Sequence, residues 1–171
     1  MKIQKFILSI LIFSCLTSYG QTADVIIKKV RNDFKTINSD TTLKKITLED
    51  EEFLEHETDG GGELTGYFRN NSLLKIVEWI GLSYGNRIRE FYLKNNNLFF
   101  VFEKFEAFIE TDSGLDHSKV KTIFAGRYYF NNGKLISEKT TGENKLADKT
   151  SAQDLLDQTK DYIKLLNKKK S

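Results

Sequence analysis

The residues best equipped for chemistry fall into three groups. In the first, Glu49, Asp50, Glu51, Glu52, Glu55, Glu57 and Asp59 surround His56. Clustered carboxylate oxygens are the donors that calcium takes, and a histidine among carboxylates suits zinc or iron. His56 and Asp59 are therefore candidate metal ligands. The alternating ligands and fixed glycine of an EF-hand loop are absent, and no His-Glu-x-x-His pair occurs. The competing reading is a solvated, charged edge. Gly60-Gly61-Gly62 follows the run and leads through Glu63-Leu64-Thr65-Gly66-Tyr67 into strand-like sequence. A phosphate cradle needs Gly-Lys-Ser/Thr at the start of a helix, so the triplet reads as a flexible turn.

The second group is Glu110-Thr111-Asp112-Ser113-Gly114-Leu115-Asp116-His117. It reads as a connection longer than a minimal hairpin, and loops on a rigid scaffold often carry function. Asp112, Asp116 and His117 are candidate metal ligands there, with Ser113 beside them. The Gly-x-Ser-x-Gly elbow of a serine hydrolase is missing, and an exposed connection is the plainer reading. The third group, Trp79, Tyr84, Arg87 and Arg89, flanks a turn. An aromatic beside arginines can bind a sugar or peptide. The same residues can also pack a strand end with arginine stems.

These groups must be positioned by the elements around them. Ile26, Ile27, Val30, Phe34 and Ile37 recur at spacings of three and four, which predicts an amphipathic helix over 24–38. A weak alternation over 43–48 suggests a first strand. From 63 to 142 the period falls to two, and strands are expected near 63–69, 73–80, 87–94, 98–109, 120–131 and 134–140. Phe99, Phe100, Phe102, Phe105 and Phe108 fall on both faces of one strand, which predicts a central strand covered on both sides for part of its length. Core packing is the plain reading of these aromatics; an open aromatic face that grips a ligand is the functional one. Leu155, Leu156, Thr159, Tyr162, Ile163 and Leu166 make the stripe of a second helix over 151–168. Ser151 and Asp154 have the spacing of a capping box.

Three segments resemble one another: Tyr67-Phe68-Arg69-Asn70-Asn71-Ser72-Leu73-Leu74, Tyr92-Leu93-Lys94-Asn95-Asn96-Asn97-Leu98-Phe99 and Tyr129-Phe130-Asn131-Asn132-Gly133-Lys134-Leu135-Ile136. Each runs aromatic, apolar, turn residues, leucine, apolar. Asn-Asn and Asn-Gly tolerate the positive φ of tight turns, so each unit predicts a β-hairpin. The units resemble MORN-type β-hairpin repeats. The order of leader, helix, aromatic meander and C-terminal helix resembles that of small exported bacterial proteins. That resemblance implies an architecture and no activity, so no site residues carry over.

Residues 1–20 read as a secretory signal peptide. Lys2 and Lys5 form a positive start, Phe6 to Phe13 an apolar run, and Ser18 and Gly20 a small-residue cleavage site. The run falls short of the roughly 20 residues that span a bilayer. A lipobox over Ile12-Phe13-Ser14-Cys15 is the alternative, with Cys15 lipidated and the protein tethered to a membrane. Without residues 1–20 the chain keeps 24 basic and 24 acidic residues and no cysteine. A neutral domain gives no general case for nucleic acid, and the absence of thiols excludes disulfides and thiolate metal sites.

The expected fold is α+β: one domain over 21–171, an antiparallel β-meander of about six strands with an N-terminal and a C-terminal helix packed on it. A closed, lipocalin-like barrel is the alternative. The expected function is non-enzymatic, with no cofactor. The chain would bind a protein, peptide or small ligand outside the cytoplasm, or serve as a structural envelope protein. The alternative is a metal-dependent hydrolase or calcium-binding module on the acidic run or the 110–117 segment.

Overall fold

The computed structural model describes residues 23–144 and 150–170. The signal peptide and Cys15 lie outside the described residues. A helix, α1, spans 23–38. After it come β1 (Lys44–Glu49), a one-turn helix α2 (Asp50–Phe53), β2 (Gly62–Arg69), β3 (Ser72–Leu82), β4 (Gly85–Lys94), β5 (Asn97–Thr111), β6 (Gly114–Asn131), β7 (Lys134–Gly142) and α3 (Ala152–Lys170). The strands form one sheet in the order β1 to β7, every neighbour antiparallel.

The α+β meander is thus as the periodicity predicts, with seven strands rather than six because β1 adds to the edge beside β2. The barrel alternative is corrected: β1 and β7 are the opposite edges of an open sheet. Closure is one way to protect a sheet's apolar surface, and helices laid on its faces are another.

The three similar segments are hairpins, and their likeness has a geometric cause. Asn70, Asn95, Asn96 and Asn132 hold positive φ between 49° and 60°, the backbone that asparagine tolerates best after glycine. The register then slips by one residue at the same place in each unit, between Tyr67 and Phe68, Tyr92 and Leu93, and Tyr129 and Phe130. Pairing passes over Leu74, Phe99 and Ile136, the last residue of each unit. All three bulged residues pack on the α1 side of the sheet. A bulge bends its strand and increases twist, so the repeat curves the same end of each hairpin.

Successive residues point to opposite faces, and the chain uses both. Leu64, Ile76, Phe91, Val101 and Tyr128 meet Leu155, Tyr162 and Leu166 of α3. Their sequence neighbours Tyr92, Phe100 and Tyr129 meet Ile27, Val30 and Ile37 of α1. α1 is tied to the hairpin ends by Lys94 to Asp33 at 3.2 Å and, just past its C-terminus, by Arg69 Nε donating to Asp40 at 2.9 Å. α3 begins with the expected box. Asp154 N–H donates to Ser151 Oγ at 3.1 Å, and Ser151 N–H donates to the Asp154 carboxylate at 3.2 Å. Gly66 makes room for its other end, because a Cβ there would stand 2.9 Å from Leu166 Cδ1.

The predicted 110–117 connection is also corrected. β5 runs to Thr111 and β6 starts at Gly114, leaving only Asp112 and Ser113 in the turn. Polar residues here mark a solvated two-stranded arm rather than a loop. Residues 117–119 form an irregularity within it, since Ile109 pairs with Asp116 and Phe108 with Val120.

Leu166 is fully buried against Gly66 and the α3-side core. Leu166→Ala is expected to lower unfolding free energy by about 2–5 kcal/mol, as for other large-to-small core changes. Urea unfolding checks it; a loss under 1 kcal/mol would mean α3 is not seated as described.

Candidate functional site

On the α1 face, one row of side chains crosses the whole sheet in register: Lys45, Tyr67, Lys75, Tyr92, Phe100, Tyr129 and Ser137. Cations alternate with rings at the β1 end. Lys45 stands 5.4 Å from the Tyr67 centroid, and Lys75 stands 5.7 Å from Tyr67 and 5.2 Å from Tyr92. Rings then stack toward β6, with Tyr92 to Phe100 at 5.7 Å and Phe100 to Tyr129 at 5.0 Å. Phe34 of α1 lies over two of them, 4.9 Å from Tyr92 and 5.6 Å from Phe100. The Tyr92 hydroxyl donates to Glu90 and accepts from Asn38 Nδ2 at 2.9 Å. Burial pushes this hydroxyl's pKa up, and the Glu90 charge pushes it further.

The next row on this face is Val77, Glu90, Phe102, Arg127 and Lys139. Here α1 no longer covers the sheet fully. Phe100 is buried, whereas Phe102 is half-exposed. A groove of about 510 Å³ opens between α1 and β5 to β7. Phe100, Phe102 and Tyr129 make its floor, Val30 and Phe34 its helix wall, and Arg31, Arg127, Lys139 and Thr141 its rim. The Arg127 guanidinium lies 5.2 Å from the Phe102 ring centroid. This volume suits a small molecule, since such pockets span about 300–1,000 Å³ and are mostly apolar with few polar groups.

The α3 face carries a different row: Glu78, Arg89, Glu103 and Gly126, on four adjacent strands. All three charged side chains are buried. Arg89 Nε donates to Glu103 at 2.8 Å, its Nη2 to Thr150 Oγ1 at 2.7 Å and its Nη1 to Gln158 at 3.2 Å. Gln158 Nε2 donates to Glu78 at 3.2 Å, and the Tyr162 hydroxyl donates to the same Glu78 oxygen. The Tyr128 hydroxyl donates to Glu103 at 3.2 Å. It reaches there because residue 126 is glycine: a Cβ would stand 2.8 Å from the Tyr128 hydroxyl. Burial works against the Arg89 charge, but Glu78 and Glu103 outweigh it and its pKa rises. Burial also raises the Tyr162 and Tyr128 hydroxyls, with Glu78 and Glu103 respectively adding to it. The cluster lies beneath α3, where its groups bond to one another across strands and helix. It fixes α3 on the sheet.

The predicted site residues are dispersed. Arg89 is inside this cluster, and Arg87 donates to Glu78 at 3.4 Å. Tyr84 is exposed at the β3–β4 turn with its ring 5.5 Å from Phe105. Trp79, next to Glu78 in β3, points to the opposite face. The four residues therefore form no single surface. His56 and Asp59 are exposed after α2. Asp112 is at the tip of the arm, Asp116 accepts from the Ser118 N–H at 3.0 Å, and the His117 ring packs at a tilt against Phe108 with centroids 4.5 Å apart. Among the described residues no group of three His, Cys, Asp or Glu side chains stands close enough to hold a metal ion. The groove residues other than the β5 phenylalanines escaped sequence reasoning. Their one signal was parity: Arg127 and Tyr129, like Phe100 and Phe102, stand two apart on one face.

Two outcomes are expected from the buried row. Arg89→Met leaves the buried Glu103 without its ion-pair partner and should cost about 3–5 kcal/mol in denaturant unfolding. The raised pKa values of Tyr92, Tyr128 and Tyr162 give a defined pH window. A group whose pKa is higher in the fold stabilises it below the unfolded value, near pH ~10, and loses that contribution as pH rises further. The denaturation midpoint should therefore fall between pH 9 and 11, with tyrosinate absorbance appearing together with unfolding. A flat midpoint would contradict the burial of these hydroxyls.

No family model, curated protein or solved structure matches this chain.

Proposed function

We propose that the protein is a non-enzymatic binding protein acting outside the cytoplasm, and that it takes an apolar small molecule in the groove beneath α1. The observation that carries this reading is the half-covered aromatic floor. Phe102 lies in the row beyond the buried Phe100 and Tyr129, open to a groove of about 510 Å³. Exposed aromatic surface in a concavity gains free energy when a ligand covers it, at about 25 cal/mol per Å² of apolar area. Among the described residues that line the groove there is no Ser, Cys, His, Asp or Glu side chain. The convergent ionisable groups are instead buried under α3, bonded to each other.

Export is supported by the sequence of residues 1–20, with its positive start, apolar run and small-residue site. No helix among the described residues is long and apolar enough to cross a membrane.

The test is a fluorescence titration with N-phenyl-1-naphthylamine, a neutral apolar probe that brightens when it leaves water. Saturable binding is expected. Phe102→Ala should weaken it about tenfold, the lower end of what one aromatic side chain contributes. Tyr84→Ala, on the other side of the sheet, should leave it unchanged. Absence of saturable binding, or equal affinity in Phe102→Ala, overturns the reading.

A further inference from the structure

The rim of the groove holds charge in an arrangement that the fold alone does not explain. Arg127 of β6 sits directly opposite Lys139 of β7. Like charges at directly opposed sheet positions repel and destabilise the pairing. Arg31 adds a third cation from α1, and among the described residues no acidic side chain lines the groove. Among the described residues none of the three takes part in an ion pair. Glu90, the acid in the same row, is engaged on its other side by Lys75 at 3.2 Å and by the Tyr92 hydroxyl. Three cations thus border an aromatic floor, with no acidic partner among the described residues that line it.

We infer that the ligand of this groove is a free, single-chain anionic amphiphile: an apolar tail laid on Phe100, Phe102 and Tyr129, and an anionic head held by Arg127, Lys139 and Arg31. This rests on the groove being the binding site, and it adds the ligand's class. Arg127 is suited to the head group. Its guanidinium already lies over the Phe102 ring, and its planar fork can donate two parallel hydrogen bonds to a carboxylate or phosphate. Lys139 adds a point charge from the facing strand. The head relieves the repulsion between the two, so binding is coupled to a favourable change within the sheet.

Displacement of N-phenyl-1-naphthylamine by three ten-carbon probes below their micelle concentrations tests this: decanoate, decanol and decyltrimethylammonium. Decanoate should displace at concentrations at least tenfold lower than decanol, and decyltrimethylammonium should be the weakest. Salt should weaken decanoate and leave decanol unchanged. Arg127→Gln and Lys139→Gln should each weaken decanoate several-fold without affecting decanol, and the double variant should bring decanoate to the level of decanol. In the ligand-free protein, Lys139→Gln should raise the melting temperature, because it removes the like-charge pair. Equal displacement by decanoate and decanol, or variants that weaken both equally, overturns the anionic class and leaves the groove standing. Binding to phosphatidylglycerol vesicles without binding to decanoate overturns the free amphiphile in favour of a membrane surface. Failure of the neutral probe itself to bind removes the groove and this inference together.

Discussion

Everything in this structure follows from a sheet that is apolar on both faces and has two helices to cover it. β5 makes the constraint plain. Phe100 and Val101 are adjacent and both buried, one toward α1 and the other toward α3. A sheet with one solvated face could spare a helix; this one cannot. The helices cover their faces unequally. α3 buries Leu155, Tyr162 and Leu166 across the strand centres. α1 lies over the curved hairpin ends, where the bulged Leu74, Phe99 and Ile136 meet it. The rows beyond its reach keep aromatic surface in contact with solvent, and that is where the groove forms.

The better-covered face accepts a different cost. Burying Glu78, Arg89 and Glu103 forfeits their hydration, and such groups often add little net stability even when paired. They do favour one alignment of the three central strands over a slip that would remove the cation. In the observed register the cation sits between two carboxylates. A two-residue slip of β4 that set Arg89 opposite Ile80 would preserve the in–out alternation, but it would put Phe91 between Glu78 and Glu103 and strand both acids in the core. α3 joins the same network through Gln158 and Tyr162, so helix placement and strand register depend on shared groups. Gly126 belongs to it too, since the space its missing side chain leaves lets Tyr128 reach Glu103.

Much of the fold was legible in the residues. The stripes of α1 and α3, the capping pair Ser151 and Asp154, and the asparagine turns each depend on neighbours a few positions apart. Three features were not. Glu78, Arg89 and Glu103 sit among apolar or mixed neighbours, and period two says only that they alternate with them, not which face lies under a helix. The arm around 110–119 is rich in Asp, Ser, Gly and His, which are turn formers in isolation. Cross-strand pairing, invisible locally, keeps most of it in β5 and β6. The groove residues come from α1 and three strands, and Arg31, Arg127 and Lys139 meet only once the register and the position of α1 are known. The candidate metal residues lie close together in sequence, which the extended arm and the exposed turn after α2 do not convert into convergence.

The central claim is that incomplete cover by α1 creates the binding site. Backbone amide shifts recorded by NMR during titration with decanoate test it most directly. The account predicts saturable changes concentrated at Val30 to Phe34, Phe100 to Phe102, Arg127 to Tyr129 and Lys139 to Thr141, with α3 and the tip of the β5–β6 arm unmoved. Changes centred on the arm, around Ile109, Leu115 and Val120, or on the α3 face would contradict it.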